Sequence, residues 1–118
     1  MKYELHQIHL SDAEIDKVNA EGHDSVEKNK LQIDMTTRTN PIDLLAKIGW
    51  WKGYYTHVSN IETDQGLSGV FEVGNIGPEE NIERLAPMHS ASVGDIIIDN
   101  KGKKFVVASL GFKEVRNV

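Results

Sequence analysis

No segment narrows the fold of this chain more than residues 93–108. Val93-Gly94-Asp95 leads into Ile96-Ile97-Ile98, a continuous apolar run that suits a buried strand. Asp99-Asn100-Lys101-Gly102 follows as a turn with glycine where a positive φ is favoured, and Phe105 to Ala108 returns as the second arm of a β-hairpin. Gly111 breaks that arm before Phe112 to Val115, a short third strand. At the opposite end, Tyr3, Leu5, Ile8 and Leu10 have strand character, with an apolar phase that shifts between Leu5 and Ile8. Such a shift predicts either a bulge or a strand covered on both faces.

Helix signals lie between these ends. Ser11-Asp12-Ala13-Glu14 is a capping box: the Ser11 hydroxyl can accept from the amide of Glu14, and the Glu14 carboxylate can reach back. Leu10 and Ile15 flank it as a hydrophobic staple, Ile15 and Val18 supply a narrow buried stripe, and Gly22 is the expected left-handed stop. In His23 to Thr39, Val26, Leu31, Ile33 and Met35 are spread among polar groups; a helix to about Asp34 is the preferred reading, with a strand over Leu31 to Met35 as the alternative. Asn40 as N-cap and Pro41 in the first turn predict a helix from Pro41 to Ile48, burying Leu44, Leu45 and Ile48 and ended by Gly49. Tyr55 to Ile61 reads as a second strand. Thr63 or Asp64 then caps a segment whose Leu67, Val70 and Phe71 have helical spacing, although Gly66 and Gly69 would each cost about 1 kcal/mol inside a helix. Val70 to Val73 fits a strand equally well. Asn75-Ile76-Gly77-Pro78 marks a loop, and Pro78 to Arg84 reads as one or two helical turns.

Composition bounds the function. The chain has 118 residues, 39% apolar, and no cysteine, which predicts one domain with its own core and excludes disulfide scaffolds and cysteine-ligated metal. No apolar run approaches the roughly 20 residues that span a bilayer, and Met1 to Leu10 alternates instead of forming a signal-peptide core, which predicts a cytoplasmic protein without a membrane role. Residues 1–100 hold 8 Lys and Arg against 17 Asp and Glu, while residues 101–118 hold 5 against 1. Phosphate backbones are repelled by so acidic a body, so nucleic acid is a disfavoured partner, approachable only through Lys101, Lys103, Lys104 and Lys113.

Three groups of residues carry candidate chemistry. Among the five histidines, His6 and His9 fall on opposite faces of a strand unless a bulge intervenes, so a metal site needs His23, His57 or His89 brought in by the fold. No metal and no cofactor is expected. Met88-His89-Ser90-Ala91-Ser92-Val93-Gly94-Asp95 offers a base, two hydroxyls and a carboxylate, but no Gly-x-Ser-x-Gly elbow surrounds either serine. Its simplest reading is a loop entering the hairpin, held by serine-to-backbone bonds, with a binding surface as the functional alternative. Trp50-Trp51-Lys52-Gly53-Tyr54-Tyr55 holds half of the eight aromatic residues; part of it fills the core, and the remainder suits a protein interface.

Residues Asn75-Ile76-Gly77-Pro78-Glu79-Glu80-Asn81-Ile82-Glu83-Arg84-Leu85, then Met88 to Ile97, then Phe105 to Phe112, carry a resemblance. Their Met-His-Ser-x-Ser-Val-Gly-Asp block, strand pair and Gly-Phe ending resemble a group of small uncharacterised proteins of phages and mobile elements with a YodL-like C-terminal domain. The match covers residues 75–115, about a third of the chain. It implies helix over Leu67 to Gly74, although the relatives carry more acidic residues and fewer glycines there. It also implies a phage or mobile-element context, in which small intracellular proteins act by binding host or element proteins, and it carries no catalytic residue with it.

These readings converge on a single α+β domain: a small mixed or antiparallel sheet, with its C-terminal β-hairpin covered by short helices. A small, partly open barrel is the second architecture. The expected function is non-enzymatic binding of a host or phage protein through His89, Ser90, Ser92 and Asp95, with Trp50 and Trp51. The alternatives are a small hydrolase or transferase using His89 as base, and a nucleic-acid binder using the basic C-terminal hairpin. Oligomeric state is left open.

Overall fold

The N-terminal segment forms the centre of the sheet. In the computed structural model, which describes residues 1–37 and 41–118, β1 (Lys2–Ile8) pairs antiparallel with β2 (Tyr55–Glu62) on one side and β4 (Ile96–Ile98) on the other. Outward from β2 lies β3 (Ile82–Arg84); outward from β4 lie β5 (Lys104–Val107) and β6 (Phe112–Val115). The order β3-β2-β1-β4-β5-β6 is antiparallel throughout and open, with β3 and β6 as its edges, in place of a barrel. The protein is α+β, as its patterning predicts.

Side chains alternate across β1, and each set meets a different helical layer. Tyr3 and Leu5 join Val58, Ile61, Ile97 and Val107 beneath Val70 and Val73 of α4 (Gly66–Ile76). Ile8 joins Ile96, Ile98, Val106 and Val115 beneath Leu31 and Met35 of α2 (Glu27–Thr36) and Ala46 of α3 (Ile42–Trp51). The phase shift in β1 therefore reflects burial on both faces. A register break does lie opposite Leu5 and His6, but Val58 of β2 is the extra residue: Leu5 pairs with Ser59 and His6 with His57.

The local signals hold unevenly. α1 (Asp12–Glu21) starts at Ser11 with both bonds of the capping box and stops at Gly22, φ 100°. Its predicted buried stripe is absent, because no residue of α1 is buried and Ile15 stays 42% exposed. α2 runs two residues past Asp34, after a short 3-10 turn at His23–Ser25. Asn40 lies outside the described residues, and Pro41 occupies the N-cap of α3. α3 passes through Gly49 to Trp51, and the buried positions are Ala46 and Gly49, whereas Leu44 is exposed. Gly49 is needed for closeness: a Cβ there would lie 2.9 Å from Leu31 Cδ2 and 3.1 Å from Tyr55 Cε2. Residues 66–76 are helix, and Pro78 to Arg84 gives only the 3-10 turn Glu79–Asn81 before β3. No helix among the described residues is long and apolar enough to cross a membrane.

Candidate functional site

The loop before β4 is held from beneath by one side chain of the central strand. Gln7, fully buried, faces it from β1; its Nε2 donates to the His89 carbonyl at 2.9 Å and to Asp95 Oδ2 at 2.9 Å, while its Oε1 accepts from the His89 amide at 3.1 Å. The Gln7 amide thus serves His89 as a strand neighbour's backbone would. The same Asp95 oxygen accepts from the Ser92 amide at 2.9 Å, closing residues 92–95 into a turn. Gly94 adopts φ 96°, its amide donates to Val107 at 2.8 Å, and its carbonyl accepts from the Tyr55 hydroxyl at 2.6 Å. Gln7 of β1, Tyr55 of β2 and Val107 of β5 therefore fix the loop from three strands, and buried polar groups so satisfied specify one conformation.

This geometry divides the predicted residues. Asp95 is only 1% exposed and points inward, so it supports the loop and is not part of its contact surface. Burial pushes its carboxyl up to about 6, against the opposing effects of Gln7 and the Ser92 amide. Burial, and then the Asp95 charge, likewise hold the Tyr55 phenol well above its usual range. His89, Ser90 and Ser92 are exposed. His89 Nδ1 lies 2.8 Å from the Ser90 carbonyl, which can only accept, so Nδ1 carries the proton and Nε2 the free lone pair. The His9 ring stands 5.4 Å away, its imidazole lowered by burial and by the adjacent His89 and Lys28.

Beside His89 and Ser90, a cavity of about 200 Å³ opens between Val73, Ile76, Ile82 and Met88. Ile76, which lines this cavity, is 83% exposed, and Leu85, the residue after β3, is 52% exposed. Among the described residues, neither the Ser90 nor the Ser92 hydroxyl bonds the His89 ring, and the only carboxylate of the loop is turned to Gln7 and the Ser92 amide. The arrangement supplies a fixed surface with one outward imidazole; it lacks the base-to-nucleophile bond of a hydrolase.

The tryptophans lie at the end of α3. Trp50 packs against the core, 5.1 Å from the His6 ring and 6.1 Å from Tyr55, with Lys104 Nζ 5.1 Å from its centroid. Trp51 is 65% exposed and carries Lys47 Nζ at 4.9 Å. Tyr55 links the two regions from below, its ring toward Trp50 and its hydroxyl on Gly94. Gln7 is the residue that local reading misses; its only sign is an amide in phase with Tyr3 and Leu5, on the apolar face of the strand. On the opposite face of β1 and β2 the fold brings His57, one of the histidines a metal site would need, to His6, with Glu4 as the unforeseen third member; among the described residues these three form the group whose ligand atoms could hold a metal ion. There burial lowers the His6 imidazole despite its bond to Glu4. No family model, curated protein or solved structure matches the chain.

Proposed function

We propose that this chain is a non-enzymatic accessory protein of a phage or mobile element, working in the host cytoplasm, that binds a host or phage protein through the His89–Ser92 loop. The observation that carries the reading is the pairing of exposed contact residues with a buried anchor: His89, Ser90 and Ser92 face outward while Gln7 and Asp95 hold their backbone from inside. A loop fixed in this way loses little conformational entropy on association. Ile76 and Leu85 add exposed apolar area of the kind an interface buries, and Glu79, which lines the same cavity as Ile76, and its exposed neighbour Glu80 add negative charge beside it, Glu79 shared with Arg84. The partner's contact face is accordingly apolar at its centre and basic at its edge. Support for the biological setting comes from the YodL-like resemblance of residues 75–115.

A pull-down from host lysate, with and without nuclease, tests this. Wild-type protein retains one stoichiometric protein regardless of nuclease, and retention weakens with salt. Ile76→Asp and the double variant His89→Ala, Ser92→Ala lose it by about tenfold or more while melting like wild type, and Trp51→Ala retains it. Equal retention by all four proteins, or retention of nothing, overturns the reading.

A further inference from the structure

On the face of the sheet away from α4, the extra residue Val58 changes what β2 presents. Residues 57 and 60 are an odd number apart and would point to opposite faces of a regular strand; with Val58 inserted, His57 pairs with His6 and Asn60 with Glu4, on one face. The Val58 carbonyl is itself tied down by the amides of Leu85 and Ala86, at 2.9 and 3.2 Å, so the irregularity is built into the sheet.

Its product is a converging set of ligand atoms. His6 Nε2 and His57 Nδ1 lie 2.9 and 3.9 Å from the same oxygen of Glu4, and the ligand atoms of the three residues all lie within 4.8 Å of one another. Donors around a tetrahedral ion at ordinary Zn–N and Zn–O lengths stand roughly 3.3 Å apart, so small side-chain movements close the set on an ion. The outer hydrogen bonds already choose the tautomer. Asn60 gives its Nδ2 to Glu83 at 2.7 Å, which turns its oxygen to His57 Nε2 at 2.8 Å. That nitrogen must carry the proton, and Nδ1 is left as a lone pair facing Glu4.

We propose that Glu4, His6 and His57 bind one divalent first-row transition ion of the zinc class, held by two imidazoles and a carboxylate, with its remaining position open to solvent. Glu4 and His57 line a cleft of about 470 Å³ together with Lys2, Asn60 and Asn100, which gives the ion an entry path and an exogenous ligand room. Asp99, also on the cleft, is engaged by the amides of Lys101 and Lys103 and stays outside the ligand set. Two imidazoles and one carboxylate suit zinc, cobalt or nickel better than the hard ions calcium and magnesium. The His6 and His57 rings now stack at 4.6 Å and 11°. Lone pairs lie in the ring planes, so a shared ion draws one ring out of the stack. His6 is buried against Trp50, whereas the His57 side chain is 34% exposed, and His57 is the ring that turns.

The test is titration of chelator-stripped full-length protein with Zn²⁺ by calorimetry, and with Co²⁺ by visible absorption. One ion per chain is expected, with absorption of four-coordinate intensity and a melting temperature raised by zinc. Glu4→Gln and His57→Ala each abolish saturable binding, Asn60→Ala weakens it about 10- to 100-fold through the lost orienting bond, and His89→Ala changes nothing. Histidine NMR signals of His6 and His57 lose their mutual ring-current shifts on loading. Absence of saturable binding in wild type, or the same affinity in Glu4→Gln and His57→Ala, overturns the proposal.

Discussion

A single buried carboxyl shows how much the loop depends on individual atoms. Asp95 takes two hydrogen bonds on one oxygen, yet burial lifts its pKa from the ordinary 3.8 to about 6. The folded state therefore holds this proton more tightly than the unfolded chain. The contribution is complete below about pH 3.8 and lost as pH rises through about 6, on the order of 3 kcal/mol in all. Asp95→Asn keeps an acceptor for both donors and removes the titration. Urea denaturation between pH 4 and 7.5 should show the variant gaining stability relative to the wild type across that window and being the more stable protein at pH 7, since the lowered His6 and His9 imidazoles titrate alike in both. A variant that is less stable at pH 7 contradicts this assignment. None of this was legible locally: Asp95 read as a turn residue with an accessible carboxylate, because its partner Gln7 stands 88 positions away in the chain.

At the level of elements, the residues that read correctly are those whose partners are near in sequence. Ser11 and Glu14 satisfy one another three residues apart, and Gly102 turns the hairpin at φ 83°. Readings failed where burial is decided by distant packing. Ile15 of α1 finds no cover, and α3 turns Ala46 and Gly49 inward where Leu44 and Ile48 were expected. β3, only three residues long, carries no periodicity and exists because Ser59, Asn60 and Ile61 pair with it. The glycines of α4 argued against a helix until its surroundings were known. A Cβ on Gly69 would meet Thr63 Oγ1 at 2.4 Å and Gln65 Cβ at 2.6 Å, both at the tight turn entering the helix. Gly69→Ala gains about 1 kcal/mol of helix propensity and meets an overpacking cost of about 1–3 kcal/mol. A lowered melting temperature is the expected outcome, and a raised one would show that the turn yields freely.

Across the whole molecule, the central strand divides two activities between its faces. Odd-numbered Gln7 supports the proposed protein-binding loop, and even-numbered Glu4 and His6 belong to the proposed metal site, while β2 reaches the same two places through Tyr55 and His57. The α+β class and the hairpin could be read from residues 93–115, whereas both sites depend on β1 and β2 meeting across more than 50 residues, which no local pattern encodes. The acidic body and basic C-terminal segment survive as a charge asymmetry, with Lys101 and Lys103 exposed at the hairpin tip and Lys104 drawn onto Trp50. The loop is rigid because Gln7 and Asp95 hold it. Native-state hydrogen exchange on individual amides measures this directly. The amides of His89 and Ser92 should exchange only with global unfolding, and Gln7→Ala, which costs about 2–4 kcal/mol, should release both by more than it releases β4. Rapid exchange at both amides in a folded wild-type protein would contradict the account.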